Sequence, residues 1–165
     1  MLDTPRLAIR PFTADDAPFV LELVNDPDFL LHIGDRKVRT LDDARAYIAN
    51  GPQASYEKNG FGLSVVALKA TGEAIGMCGL IRRDHLEDVD IGYAFLPEHR
   101  GQGYAREAAA ATLAEARALG LGRILAVVSP ANERSIALLE KLGFTYERMV
   151  RMPGDEVDIR LYAAG

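Results

Sequence analysis

Arg100-Gly101-Gln102-Gly103-Tyr104-Ala105 follows an apolar run that ends at Leu96-Pro97, and it opens an alanine-rich segment from Arg106 to Leu119. The order reads as strand, glycine turn and helix. Glycine lets a backbone come close to a ligand. The first amides of a helix have no internal partner, so they and the helix dipole favour an anion. The stretch therefore predicts a phosphate or pyrophosphate site.

Several phosphate loops share that physics. A P-loop needs Gly-x-x-x-x-Gly-Lys-Ser/Thr, and no such string occurs. A Rossmann turn could use Gly101 and Gly103, but its third small residue would be Arg106, too large for tight helix–strand packing. The next apolar run, Arg123 to Val128, ends in Ser129 with no acid for a ribose.

Outward from this loop the chain reads as one mixed α/β domain over residues 1–165. Arg6-Leu7-Ala8-Ile9-Arg10 alternates with period two, as an edge or near-edge strand does. Thr13 with Asp16 predicts a capped helix whose apolar face is Phe19, Val20, Leu23 and Val24, stopped by Asn25-Asp26-Pro27. Asp28 to Arg39 reads as irregular. Thr40 caps a helix from Leu41 to about Ala49, ended by Asn50-Gly51-Pro52. Strand signals follow at Phe61 to Leu68, Ala74 to Arg82 and Val89 to Leu96, an antiparallel meander. The glycine-loop helix then leads to a strand at Arg123 to Val128, a helix at Asn132 to Leu142, and strands at Phe144 to Met152 and Glu156 to Tyr162.

Composition sets further limits. A chain of 165 residues, 48% hydrophobic, can bury a substantial core. No segment approaches eighteen uninterrupted apolar residues, so a cytoplasmic protein without membrane contact is expected. The net charge is −5, from 24 acids and 19 bases, with the bases scattered. That disfavours nucleic acid and suits a cationic amine. Cys78 is the only cysteine and lies in the apolar run Ile75 to Ile81, so it reads as a packed strand thiol. His32, His85 and His99 have no metal-ligand spacing, and no metal is expected.

The glycine loop resembles the acyl-CoA signature Gln/Arg-x-x-Gly-x-Gly/Ala of the GNAT superfamily of N-acetyltransferases, which Arg100, Gly103 and Ala105 fit. Val127-Val128-Ser129-Pro130-Ala131-Asn132-Glu133-Arg134-Ser135, then Leu138-Leu139-Glu140-Lys141-Leu142-Gly143-Phe144, is similar to that family's fifth strand, fourth helix and closing Gly-Phe. Thr4-Pro5-Arg6-Leu7-Ala8-Ile9-Arg10-Pro11 and Asp90-Ile91-Gly92-Tyr93 resemble the Rim-type, ribosomal-protein branch. The resemblance implies a largely antiparallel mixed sheet of about seven strands, splayed between the fourth and fifth, with about four helices. It implies acetyl-CoA as cosubstrate and a primary amine as acceptor, a protein N-terminus foremost. Small amines or aminoglycosides are the alternative acceptors, and a non-catalytic CoA-binding module is the alternative to an enzyme. The oligomeric state is open to a homodimer.

By the same correspondence, residues Arg100, Gly101, Gln102, Gly103, Tyr104 and Ala105 would hold pyrophosphate, and the main chain of Phe95 and Leu96 would hold the pantetheine arm. Gly92, a glycine in a strand built for burial, would mark a bulge or close approach there. Asn132 would contact the CoA arm or serve only as a helix cap, and Ser135 would lie near the sulfur. Many members carry a tyrosine where this chain has Leu139, which leaves Ser135, a water or no group as the acid. Asp90 is the candidate base through a water, its alternative being a solvated carboxylate at a strand end. Glu107, in a helix's first turn, reads as a structural partner of the dipole.

Chemistry asks more of the base than of the acid. A thiol of pKa roughly 8.5 leaves as thiolate with modest help. An α-amine of pKa near 7.8 is roughly 15% neutral at pH 7, whereas a lysine amine near 10.4 is under about 0.1% neutral. Base catalysis is thus most pressing for lysine or polyamine acceptors.

Overall fold

The computed structural model describes all 165 residues. The strands are β1 (Leu2–Asp3), β2 (Leu7–Pro11), β3 (Leu63–Leu68), β4 (Ala74–Ile81), β5 (Asp90–Phe95), β6 (Ile124–Val128), β7 (Thr145–Val150) and β8 (Ile159–Ala164). The helices are α1 (Ala17–Leu23), α2 (Pro27–His32), α3 (Leu41–Ile48), α4 (Ala54–Asn59), α5 (Tyr104–Ala118) and α6 (Glu133–Lys141). One sheet has the order β1-β2-β3-β4-β5-β6-β8-β7, antiparallel except between β5 and β6. The expected mixed, largely antiparallel architecture is present, with an eighth strand in β1. Two residues are too few to show a period, which is why sequence reading missed it.

Two helices were also misread. Asp28 to Arg39 is not wholly irregular, because α2 begins at Pro27. Asp26 caps it, accepting hydrogen bonds from the amides of Asp28 and Phe29. Proline at the first helical position lacks an N–H that would have no helical partner anyway, so Asp26-Pro27 opens α2 as well as following the end of α1 at Leu23. Asn50-Gly51-Pro52, by contrast, does not break the helical path after α3. The backbone widens into a π turn over Ala49–Gln53, which accommodates Pro52, and continues as α4 to Gly60.

The sheet separates two cores. Val65 and Val66 are adjacent and fully buried, yet they pack on opposite sides because strand side chains alternate. One side holds Val20, Leu23, Phe29, Ala44 and Ile48 from α1, α2 and α3. The other holds Ala108, Ala109, Leu113 and Ala116 of α5 and Leu139 of α6. Alanine on the inner face of α5 lets that helix lie close to the strands and brings its first turn beside the end of β5. No helix is long and apolar enough to cross a membrane.

The pairing of β5 with β4 runs without a shift through Gly79↔Gly92, so the expected bulge at Gly92 is absent; register shifts fall instead at Val66/Ala67 and Tyr146/Arg148. The splay is present. β5 and β6 share a single register pair, Asp90↔Leu125, and beyond it the two strands part.

Candidate functional site

The glycine loop reaches α5 through two left-handed residues, Gly101 at φ 75° and Gly103 at φ 85°. The first helical bond runs from the Glu107 N–H to the Gly103 carbonyl at 3.1 Å, so the amides of Gly103 to Arg106 precede the helix ladder. Gly101, Gln102 and Gly103 are exposed, and Tyr104 and Ala105 are half-buried. Arg6 of the β1–β2 connection holds this loop from behind. Its guanidinium donates to the Gln102 carbonyl at 2.9 Å and to Glu107 at 2.7 Å, and it lies 4.4 Å from the centre of the Tyr104 ring. Glu107 also accepts from the Arg6 amide and the Thr4 hydroxyl. It is therefore a structural strut, as its position in a first turn suggested.

Arg100, by contrast, turns inward. Its guanidinium donates to Asp26, to Asp28 and to the Phe95 carbonyl. Leu96 is committed too: its amide donates to Ile75 and its carbonyl accepts from His99. The Leu125 amide donates to the Val89 carbonyl at 2.9 Å, so Val89 presents its main chain to β6. Alternation along a strand gives Tyr93 and Phe95 the same orientation, where β6 has already diverged. Of the residues expected to line the gap, Phe95 thus offers its amide, and Tyr93 joins it in place of Leu96.

The gap opens into a cavity of about 440 Å³ whose lining includes Asp90, Gly92, Tyr93, Asn132, Ser135 and Leu139. Asp90 is fully buried. Its Oδ1 accepts from Arg83 Nε at 3.1 Å, and its Oδ2 has no partner. Burial pushes its pKa up to about 6 despite the opposing charge of Arg83. The solvated strand-end alternative is therefore set aside; this is an enclosed carboxylate whose burial favours its neutral form.

Asn132 caps α6, its Oδ1 accepting the Ser135 amide at 3.3 Å. The Ser135 hydroxyl lies 2.7 Å from the Tyr93 hydroxyl, linking α6 to β5 across the splay. Burial drives the Tyr93 phenol up to about 12, against the pull of its hydrogen bond to Ser135. Leu139 is 1% exposed and belongs to the core. His32 Nδ1 is buried without a partner at the cavity wall, His85 lies 3.4 Å from the Met152 sulfur, and His99 faces Glu73. No group of three or more His, Cys, Asp or Glu is placed to hold a metal ion.

Three contributors escaped sequence reasoning: Arg6, Arg83 and Tyr93. Tyr93 shares a strand face with Ile91 and Phe95, which period two could have shown, but its partner is 42 residues away. Nothing in the Arg82-Arg83 pair marks which residue meets Asp90.

Residues 6–145 match the acetyltransferase (GNAT) domain family. Among curated proteins the chain is similar to YkkB of Bacillus subtilis (strain 168), 32% identical over 91% of this chain and 88% of that protein. It is also similar to the N-acetyltransferase YoaA of the same organism, 31% identical over 92% and 86%. Among solved structures, the acetyltransferase from Agrobacterium tumefaciens str. C58 superposes with a TM-score of 0.84 at 27% identity, covering 99% of this chain and 93% of that one.

Proposed function

Since the chain belongs to the GNAT acetyltransferases and is an acyltransferase, we propose that it transfers an acetyl group from acetyl-CoA to a primary amine, by direct attack of the amine on the thioester. The favoured acceptor is a protein N-terminal α-amine, as in the Rim-type branch that Thr4 to Pro11 and Asp90 to Tyr93 resemble. The observation that carries this reading is the continuity of three features: the first-turn amides of α5 that precede its hydrogen-bond ladder, the main chain of β5 beyond its single pairing with β6, and a cavity that contains an enclosed carboxylate.

In this reading the amides of Gly103 to Arg106 receive the pyrophosphate, helped by the dipole of α5. Arg6 supports that loop through Gln102 and Glu107. Arg100 braces it through Asp26 and Asp28 rather than by touching the phosphates. The Tyr93 and Phe95 amides hold the pantetheine arm in the manner of an added strand, and a β5 amide stabilises the oxyanion that develops on the thioester oxygen. Asp90, ionised above about pH 6, takes the proton that the amine sheds, through a water. Acetyl-CoA supplies the acyl group and a leaving thiol.

The cavity suits a small amine-bearing group rather than a folded surface. Its wall includes the apolar Tyr47 and Met77, the acids Asp35, Asp90 and Asp155, and the cations Arg36 and Arg83. The apolar residues would cover the acceptor's stem.

Thiol release from acetyl-CoA, measured across free-N-terminal peptides, N-blocked lysine peptides, polyamines and aminoglycosides with mass detection of product, tests the reading. Turnover with free-N-terminal peptides is expected. Turnover confined to another amine class would replace the acceptor. Saturable CoA binding with silence across the panel would favour a non-catalytic module.

A further inference from the structure

Resting on the reading of the cavity as the acceptor site, we propose that the acceptor carries a carboxylate a few bonds from its amine, held by the guanidiniums of Arg36 and Arg83 and by the Tyr47 hydroxyl. The charges of the cavity wall divide into those already matched and those left over. Asp35 is matched. Its carboxylate accepts from the Lys37 amide at 2.7 Å and from Arg39 Nη2 at 2.6 Å, which fixes the loop between α2 and α3. Arg36, the next residue on that loop, lines the cavity, is exposed and has no acid within salt-bridge distance.

Arg83 is only half matched. Its Nε donates to Asp90 Oδ1 at 3.1 Å, while Nη1 and Nη2 make no hydrogen bond within the protein, although the side chain is only 25% exposed. A largely buried guanidinium with an open fork favours an anion, and its planar geometry suits the two oxygens of a carboxylate. Burial raises the Tyr47 phenol, and Arg36 and Arg83 both pull against that rise, so the two guanidiniums flank one hydroxyl. That hydroxyl also lacks a hydrogen-bond partner in the protein. The three groups offer donors, and none of them offers a negative charge.

The amine end follows from the same contacts. Arg83 meets Asp90 through Nε, and Asp90 Oδ2 has no partner. An amine at Oδ2 and a carboxylate at the Arg83 fork are thus separated by little more than one guanidinium. Asp155, from the β7–β8 connection, lines the same cavity without an ion pair and adds to the attraction for the ammonium. This spacing suits the zwitterion of a free α-amino acid, or an acidic first residue of a polypeptide. It disfavours a diamine, whose second cation would meet Arg36 and Arg83.

Calorimetric titration of matched acceptors, with and without CoA, tests the site. Two pairs separate the sources of the carboxylate: methionine against methioninamide, and peptides that begin with Asp against the same peptides beginning with Asn. Wild type is expected to favour the carboxylate member of one pair by about tenfold or more, the scale of charge-assisted hydrogen bonds, and the pair that shows it names the source. Arg36→Gln should cut that ratio severalfold, Arg36→Lys should retain part of it, and Arg36→Glu should turn the preference toward the uncharged member. Tyr47→Phe, which keeps the ring, should also lower it. Arg83 stays intact throughout, because its loss would leave Asp90 buried without a cation. When acetylation is followed instead, the ratio should appear in KM rather than in kcat. Equal affinity within both pairs, no binding by any of the four, or a ratio untouched by Arg36→Gln and Tyr47→Phe alike overturns the proposal. A carboxylate preference that depends on Arg36 in a protein that binds no CoA would uphold the site and overturn the acetyl-CoA reading alone.

Discussion

Arg100 Nη2 lies 2.7 Å from Asp26 Oδ2, with Nη1 2.6 Å from Asp28, so the arginine that heads the glycine loop is tied to the N-terminus of α2. Asp26 is nearly buried and already caps that helix. The same guanidinium also caps the Phe95 carbonyl at the end of β5. One side chain thus sets the spacing of the phosphate loop, the gap strand and a wall of the cavity.

Arg100→Ala is expected to cost about 3 kcal/mol of stability, because Asp26 is left buried beside no cation. Arg100→Lys should recover only part of that, since an ammonium cannot bridge two carboxylates and a carbonyl in one plane. Urea unfolding of the three proteins measures both.

Asp90→Asn should remove one limb of the pH–rate profile. In wild type the base works when ionised, so kcat/KM rises through an apparent pKa near 6 and again as the amine loses its proton. The variant should keep only the amine limb, at a rate about a hundredfold lower or less.

The same carboxylate leaves a mark on stability. A folded pKa raised from 3.8 to about 6 gives stability that is fully present below the unfolded value and is lost as pH rises through the folded one. The difference corresponds to about 3 kcal/mol. Wild type should therefore lose stability relative to Asp90→Asn between pH 4 and about pH 6 and run parallel to it above. Chemical denaturation at several pH values follows this directly.

Gly103→Ala should weaken CoA binding and the fold together. At φ 85° an L side chain costs about 1–2 kcal/mol, and a Cβ would stand 3.2 Å from the Arg6 guanidinium. Gly101→Ala meets nothing within 4 Å, so it carries the backbone strain alone. Calorimetric CoA titration should rank Gly103→Ala below Gly101→Ala.

Cys78 should resist thiol reagents in the native state and react fully when unfolded. Burial pushes its thiol up to about 12, its partner is the Thr112 hydroxyl, and it has no exposed surface. Disulfide-exchange labelling with and without denaturant is the check.

Much of this molecule was legible in its residues because local physics decided it. The glycine turn before an alanine-rich helix, the caps at Thr40 and Asn132, the meander from β3 to β5 and the closing strands all follow from patterns within a few residues of each other. The family likeness was legible for the same reason, since its two motifs are short strings at fixed spacing. The failures were also local. β1 was too short to show a period, and Asp26-Pro27 reads the same whether it ends one helix or begins another.

What tertiary structure alone decided is the state of each functional side chain. Residues 90 and 83, 93 and 135, 6 and 107, and 100 and 26 meet only because the sheet and its crossovers bring them together. The sequence determined that Asp90 heads a strand; only the fold could bury it, pair one oxygen and leave the other free. Likewise the sequence placed Arg100 in a phosphate motif, and the fold turned it toward Asp26. Periodicity and caps act through the chain's own backbone, whereas burial and charge pairing depend on what distant segments place nearby, and no local string encodes that.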